Sequence, residues 1–330
     1  MFAAAAQSQQ PPSNLSIGII DFYGMKKIPI ESLRNALPFK VGDGMHPPSE
    51  SQAAEWQRQS KALGAIHSSF NFTCCDSGRV ILYVGVQEAG APTLLLHEAP
   101  RGKVRLDEEI VKASADFYEA LQLAVRAGRS AEDDTKGHAL DSDPAMLAVQ
   151  YRFIEYARKN KNTLQQVLRE SADDQQRGIA AQVLGYVDDK QSVVNDLVYA
   201  VSDPSELVRN NAMRSLWVFT KMVPDRKHAA IRVPYEPFVS MLNSPEWSDR
   251  NKSSLALMEL TQKRDPRLLA MLRRDAMDSL IQMARWKSEG HAMPAREILA
   301  RIAGYSEAGM RDALAHHDQE AIIAAASKVK

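Results

Sequence analysis

The sequence has few cysteines, no long apolar segment and no excess of either charge. Its only two cysteines, Cys74 and Cys75, are neighbours and so poorly placed to bridge each other. We predict no disulfide, redox or metal role for them. No apolar run approaches the roughly 18 residues that a membrane span requires, so no membrane span is predicted. Lys plus Arg and Asp plus Glu number 41 each, which gives no overall attraction to nucleic acid.

The sequence also lacks the motifs of common catalytic and metal sites. The eight histidines are scattered without ligand spacing, and His316 and His317 are adjacent rather than three or four residues apart. The acidic loop 129–143 does not have the residue order of a calcium-binding EF-hand, and no phosphate-binding loop or nucleophile elbow occurs. We therefore predict no catalytic residue, no metal and no cofactor.

The chain of 330 residues is longer than one compact domain usually is. Residues 1–14 begin with an alanine run that ends in Ala-Gln, followed by a polar, proline-containing stretch. They are either a disordered leader or the remnant of a signal peptide. The second interpretation places the protein in the bacterial periplasm or outside the cell, and the first leaves it in the cytoplasm.

Residues 15–88 have the pattern of a small α/β domain. An apolar strand from Leu15 ends at Gly24, and a helix begins after Pro29 and stops near Pro38. A second helix spans 50–63, and two β-rich segments, 68–74 and 79–86, flank a turn. The predicted order is β-α-α-β-β.

This segment resembles the POTRA (polypeptide-transport-associated) domain. The resemblance implies recognition by strand addition, because such a domain leaves a sheet edge with unpaired backbone groups. The alternative is that neighbouring helices simply cover the edge. The residues that carry the resemblance are Ile17-Gly18-Ile19, Gly24, Ile28, Ser32-Leu33-Arg34, Val41-Gly42-Asp43, Leu63-Gly64-Ala65-Ile66 and Val84-Gly85-Val86-Gln87-Glu88.

Residues 89–144 are predicted to form a connector. It begins with an extended segment or a small added strand around Leu94-Leu95-Leu96. A helix capped by Asp107 follows, with apolar residues on one stripe, and the solvated acidic loop 129–143 completes the connector.

From residue 145 to residue 330 the pattern is helical and repetitive. A unit of Arg, then a small residue three positions later, then Leu four positions after that, occurs three times, each after an acidic turn. A small residue lets two helices approach closely, and Leu fills the layer between repeats. The signature residues are Arg177, Ala180 and Leu184; Asp203, Pro204, Arg209, Ala212 and Leu216; and Arg250, Ser253 and Leu257.

The central copy resembles the HEAT repeat of the PBS-lyase type, through Asp203-Pro204, Leu207-Val208-Arg209, Ala212 and Leu216. The resemblance implies an α-solenoid over 145–330. Bilin lyases share this repeat, but no residue here gives a reason to transfer their activity.

We therefore predict an α+β chain: a small β-α-α-β-β domain followed by an all-α, HEAT-like solenoid. The expected function is that of a non-enzymatic, exported bacterial scaffold, which binds partner proteins through the solenoid face and by strand addition to the small sheet. Two alternatives remain: an enzyme or lyase subunit that uses the solenoid groove, and a nucleic-acid-binding HEAT protein. Acidic residues near basic groups such as 158–161 offset their positive charge, so a nucleic-acid partner is disfavoured.

Overall fold

The computed structural model describes residues 15–46, 48–129, 131–134, 138–222 and 231–329. The predicted leader, residues 1–14, lies outside this part of the chain. The fold is mixed α+β, as predicted: a small N-terminal sheet with helices is followed by a helical region compatible with a solenoid. No described helix is both long enough and apolar enough to cross a membrane.

The small domain has the predicted order β-α-α-β-β. Its elements are β1 (Ile17–Tyr23), α1 (Ile30–Ala36), α2 (Glu50–Ala62), β2 (Ala65–Asp76) and β3 (Arg79–Glu88). The central strand is β3, which pairs in parallel with β1 and antiparallel with β2.

One face of the sheet packs on the two helices. Leu33 of α1 and Trp56 of α2 are buried against Leu82 and Val84 of β3 in a separate apolar core. Trp56 also lies 5.2 Å, centroid to centroid, from the ring of Phe70 on β2. A Ser49 capping box fixes the start of α2.

The two cysteines contradict the prediction that they would not bridge. Cys74 and Cys75 form a disulfide across a cis peptide bond at the end of β2. The prediction rested on the two cysteines being neighbours in the chain; in the structure their Cα atoms lie 3.1 Å apart.

The connector is extended at first and then helical. Residues 91–101 form no strand, and α3 (Glu108–Arg126) follows Asp107, which holds the N-cap position without a side-chain capping bond. Within the acidic loop, β4 (Glu132–Asp133) pairs antiparallel with β5 (Leu140–Asp141), two short strands that were not predicted.

The helical region begins with α4 (Pro144–Glu170), which Asp143 caps and which is interrupted at Asn160 by non-helical backbone angles. Its second half and α5 form the first of a series of helix pairs. The following elements are α5 (Asp174–Leu184), α6 (Gln191–Ala200), α7 (Glu206–Thr220), α8 (Glu236–Met241), α9 (Trp247–Leu260), a 3-10 turn (Thr261–Lys263), α10 (Pro266–Asp275), α11 (Met277–Ala284), α12 (Glu289–Ile302), α13 (Glu307–Ala315) and α14 (Gln319–Ala326).

Alternate helices stack directly on one another: α5 contacts α7, α7 contacts α9, and α9 contacts α12. One large apolar core runs through these layers and continues into the connector helix α3. Burial between neighbouring layers is the arrangement expected of a repeat array.

The N-terminal half of the chain lies along one edge of the stack. We call this edge the turn ridge; it consists of the turns 171–173, 203–205, 244–246 and 286–288, which precede α5, α7, α9 and α12. The connector covers its first two turns. Gly102 donates to the carbonyl of Glu170 at 2.7 Å and accepts from Ala172 at 2.8 Å, and His97 donates its N–H to Ser202 O at 2.9 Å.

The small sheet covers the other two turns of the ridge. The hydroxyls of Tyr23 and Ser69 both donate to the carbonyl of Pro245 at 2.8 Å. At the next turn, the Lys287 N–H donates to the Asp21 carboxylate at 2.8 Å. The sheet is therefore sandwiched between its own two helices and the helical region.

Gly85 on β3 makes this close packing possible. A Cβ atom at this position would lie 1.8 Å from the oxygen of Pro245 and 2.7 Å from the hydroxyl of Tyr23. A side chain of any size would push the sheet off the ridge.

Candidate functional site

The predicted repeat arginines form a buried ladder beneath the turn ridge. Arg177, Arg209 and Arg250 are each at most 4% exposed. Each guanidinium donates back to a carbonyl of the turn before its own helix, namely that of Ser171, Asp203 or Ser244, at 2.6 to 2.9 Å. The arginines thus satisfy carbonyl groups of the turns between helices, which have no partner within a helix.

Two of the arginines also join neighbouring layers. Arg177 donates through Nε and Nη2 to Asp203 at 2.7 and 2.8 Å, and Arg209 donates to Asp249 at 2.9 to 3.1 Å. All four side chains are buried. Although burial opposes it, the attraction of Asp249 raises the pKa of Arg209. These forked ion pairs fix the register between layers.

The third arginine meets the small domain instead of an aspartate. Arg250 donates to Gln282 Oε1 at 3.2 Å, and its guanidinium lies 4.6 Å from the ring centroid of Tyr23 on β1. Burial lowers the pKa of Arg250 to about 10. Gln282 also accepts from Gly24 N–H at 2.9 Å and donates to the carbonyl of Met25 at 3.2 Å. The ladder therefore ends on the small domain, through a cation-π contact and an amide bridge.

The remaining signature residues are packing residues. Pro204 is exposed on the ridge, whereas Asp203 is buried. The other six are completely buried between helices: Ala180, Leu184, Ala212, Leu216, Ser253 and Leu257. The structure thus brings the signature together as a packing framework in which every residue except Pro204 is buried.

Aromatic side chains hold the sheet to the ridge. Tyr83 on β3 stacks on Trp247 at 5.2 Å and contacts Trp286 at 4.9 Å, and its hydroxyl lies 2.8 Å from His291 Nδ1. The sequence pattern places both tryptophans among the interhelix core residues. In the structure they also face the sheet, because Tyr83 and Tyr23 fill the space above them.

The two edges of the sheet differ in their exposure to partners. At β1, Ile17 N–H donates to Asp43 O and Met45 N–H donates to Leu15 O, both at 2.8 Å. Further along the same edge, the Lys287 ammonium donates to Ile20 O at 2.9 Å. The chain itself therefore blocks the β1 edge.

The β2 edge is open over most of its length. Near its start, Gln57 of α2 donates to Ser68 O at 3.3 Å. Beyond this point, the backbone of 69–75 makes no hydrogen bond with any described segment except β3. The strand has twelve residues, and its pairing with β3 is irregular between 65 and 67 and between 73 and 76. Within the regular part, neither lysine nor proline interrupts 69–73. Long edges without such interruptions are those that accept another strand.

The open edge could have been suspected from the sequence, but the blocked one could not. The run 68–74 is long and lacks charge, which signals an edge without protection. One of the groups that block β1 is the ammonium of Lys287, which lies 267 residues from Ile20 in the sequence, and no local pattern indicates such a contact.

In the part of the chain that the structure describes, no group of three or more His, Cys, Asp or Glu residues could hold a metal ion. No protein-family model and no curated protein matches this sequence.

Proposed function

We propose that this chain is a non-enzymatic protein-interaction scaffold that captures an extended segment of a partner as a fourth strand beside β2. The observation that carries this proposal is the contrast between the blocked β1 edge and the open β2 edge. It fits the POTRA-like character of the small domain, and the helical region acts as its HEAT-like support.

Rigid support favours strand addition. Ser69 is tied to Pro245 by its hydroxyl, and His67 lies 2.9 Å from Glu246. These contacts hold β2 in place before a partner arrives. A preformed edge lowers the ordering cost of binding.

The two faces of β2 indicate which strand would fit beside it. Phe70 and Phe72 pack with Trp56 and Phe39 on the face towards α2. Ser69 lies on the opposite face, against the ridge. Because side chains alternate along a strand and pair across neighbours, the partner strand should alternate apolar and polar residues.

The test uses a peptide selected from a random display library for binding to this protein. Two N-methylated versions are compared, one methylated at odd positions and one at even positions. An added strand uses the N–H groups of alternate residues only, so one version should lose binding and the other should retain it.

Equal tolerance of both methylation patterns would contradict strand addition. A second test compares two variants of the protein. Asn71→Pro disturbs the edge strand itself, and Ser327→Pro is its control. Asn71→Pro should bind the unmethylated peptide more weakly than Ser327→Pro, which lies near the far end of the chain.

A further inference from the structure

A cavity of about 230 Å³ lies where the small domain, the connector and the helical region meet. This volume is far above the roughly 10–15 Å³ that one water molecule requires. Its walls come from the residue after β1, the end of β3, the start of the connector, and α9, α10 and α11. The charged side chains in these walls are Lys26, Arg250, Arg273, Arg274, Asp275 and Asp278.

The two acids in the walls are already paired. Lys26 Nζ lies 2.5 Å from Asp278 Oδ2, and Arg274 Nη2 lies 2.6 Å from Asp275 Oδ2. The side chains of Lys26 and Asp278 are more than half exposed, so the cavity opens to solvent beside them. The walls therefore carry two positive charges in excess of their negative charges.

Arg250 on α9 is the buried member of the two remaining cations. It is 2% exposed, and its pKa of about 10 keeps it charged at pH 7. Its Nε donates to the carbonyl of Ser244 at 2.6 Å, and its Nη1 donates to Gln282 Oε1 at 3.2 Å. Its Nη2 makes no hydrogen bond with any residue that the structure describes. Because buried donors are normally paired, Nη2 is a donor that a ligand could use.

The ladder shows which kind of acceptor Arg250 lacks. Arg177 and Arg209 each donate through Nε and Nη2 to a buried aspartate. Arg250 instead meets the neutral amide oxygen of Gln282. Buried charges are normally paired, and a neutral acceptor leaves this charge uncompensated. A carboxylate or a similar anion in the cavity would therefore complete the ladder.

Arg273 on α10 brings a second guanidinium to the same cavity. It is half-buried, and its side chain forms no ion pair or hydrogen bond within the described part of the chain. Arg267, on the same helix, is exposed and does not line the cavity. The two arginines of α10 therefore form a matched pair for an experiment.

We propose that this cavity binds a small molecule through a carboxylate or phosphate group, which Arg250 and Arg273 hold together. Both groups present oxygen atoms that match the planar fork of a guanidinium. The site is separate from the β2 edge, so the proposal does not rest on strand addition.

The experiment measures binding by calorimetry at pH 7 and constant ionic strength. The probes are succinate and inorganic phosphate, and succinamide is the uncharged counterpart of succinate. The variants are Arg273→Gln and Gln282→Glu, with Arg267→Gln as the control, and circular dichroism checks that each variant is folded. Arg250 itself is left unaltered, because it also supports the turn at Ser244.

We expect succinate, phosphate or both to bind the unaltered protein, and succinamide not to bind. Arg273→Gln should weaken binding about tenfold or more, because a hydrogen bond to a charged group is lost. Gln282→Glu should weaken it at least as much, because the new carboxylate pairs with Arg250 and repels an anion. Arg267→Gln should bind as the unaltered protein does.

Binding of succinate alone identifies a carboxylate as the ligand group, binding of phosphate alone identifies a phosphate, and binding of both identifies a site for either oxyanion. The proposal is overturned if neither anion binds, or if succinamide binds as tightly as succinate. It is also overturned if Arg273→Gln or Gln282→Glu binds as tightly as the control. None of these results bears on the β2 edge, which the methylated peptides test separately.

Discussion

Replacing Asp249 by alanine should break the ladder between α7 and α9. The carboxylate accepts from Arg209 at three short distances and from the Ser244 hydroxyl at 2.7 Å, and the residue is completely buried. Removing one partner of a buried ion pair leaves the other charge unpaired, which costs about 3–5 kcal/mol of stability. Asp249→Ala should therefore lower the free energy of unfolding by about that amount.

The assay is urea unfolding followed by circular dichroism at pH 7. The matched control is Asp188→Ala, which breaks an ion pair with Arg158 in which both side chains are 57% exposed. Exposed pairs contribute about 0–1 kcal/mol. Equal losses for the two variants would refute the view that the buried ladder holds the layers in register.

The docked sheet allows two further predictions. Gly85→Ala places a Cβ atom 1.8 Å from the oxygen of Pro245, so the melting temperature should fall, with a loss of about 1–3 kcal/mol for overpacking. Gly290→Ala, where a Cβ meets nothing within 4 Å, should leave stability unchanged or slightly higher, and an equal loss in both variants would contradict the docked arrangement. The second prediction concerns His67, whose pKa is raised by its hydrogen bond to Glu246. The resulting stabilisation is present below pH 6.5 and disappears as the pH rises through the raised value. His67→Gln should therefore be less stable than the unaltered protein at pH 6 and equal to it at pH 8.5 in urea titrations. A difference that does not change with pH would disprove this link.

Local patterns were sufficient to predict the elements of the small domain and the helical, repetitive character of the rest of the chain. The strand and helix order of the small domain follows from the alternation around Phe70 and Val80 and from the turn residues between them. The repeat follows from the spacing of Arg177 and Arg209, because each unit must bury the same kind of apolar face against its neighbour.

The relation between the two parts could not be predicted in this way. Tyr23 and Pro245 are 222 residues apart in the sequence. Their contact depends on Gly85, and a single glycine in a strand does not indicate which distant segment packs against it.

The measurement that tests the proposed function most directly is amide hydrogen exchange with and without the selected peptide. Strand addition predicts that peptide binding slows exchange within 69–75 of β2, because its outer amides gain acceptors. Slower exchange confined to the helical region, with 69–75 unchanged, would show that the partner binds elsewhere.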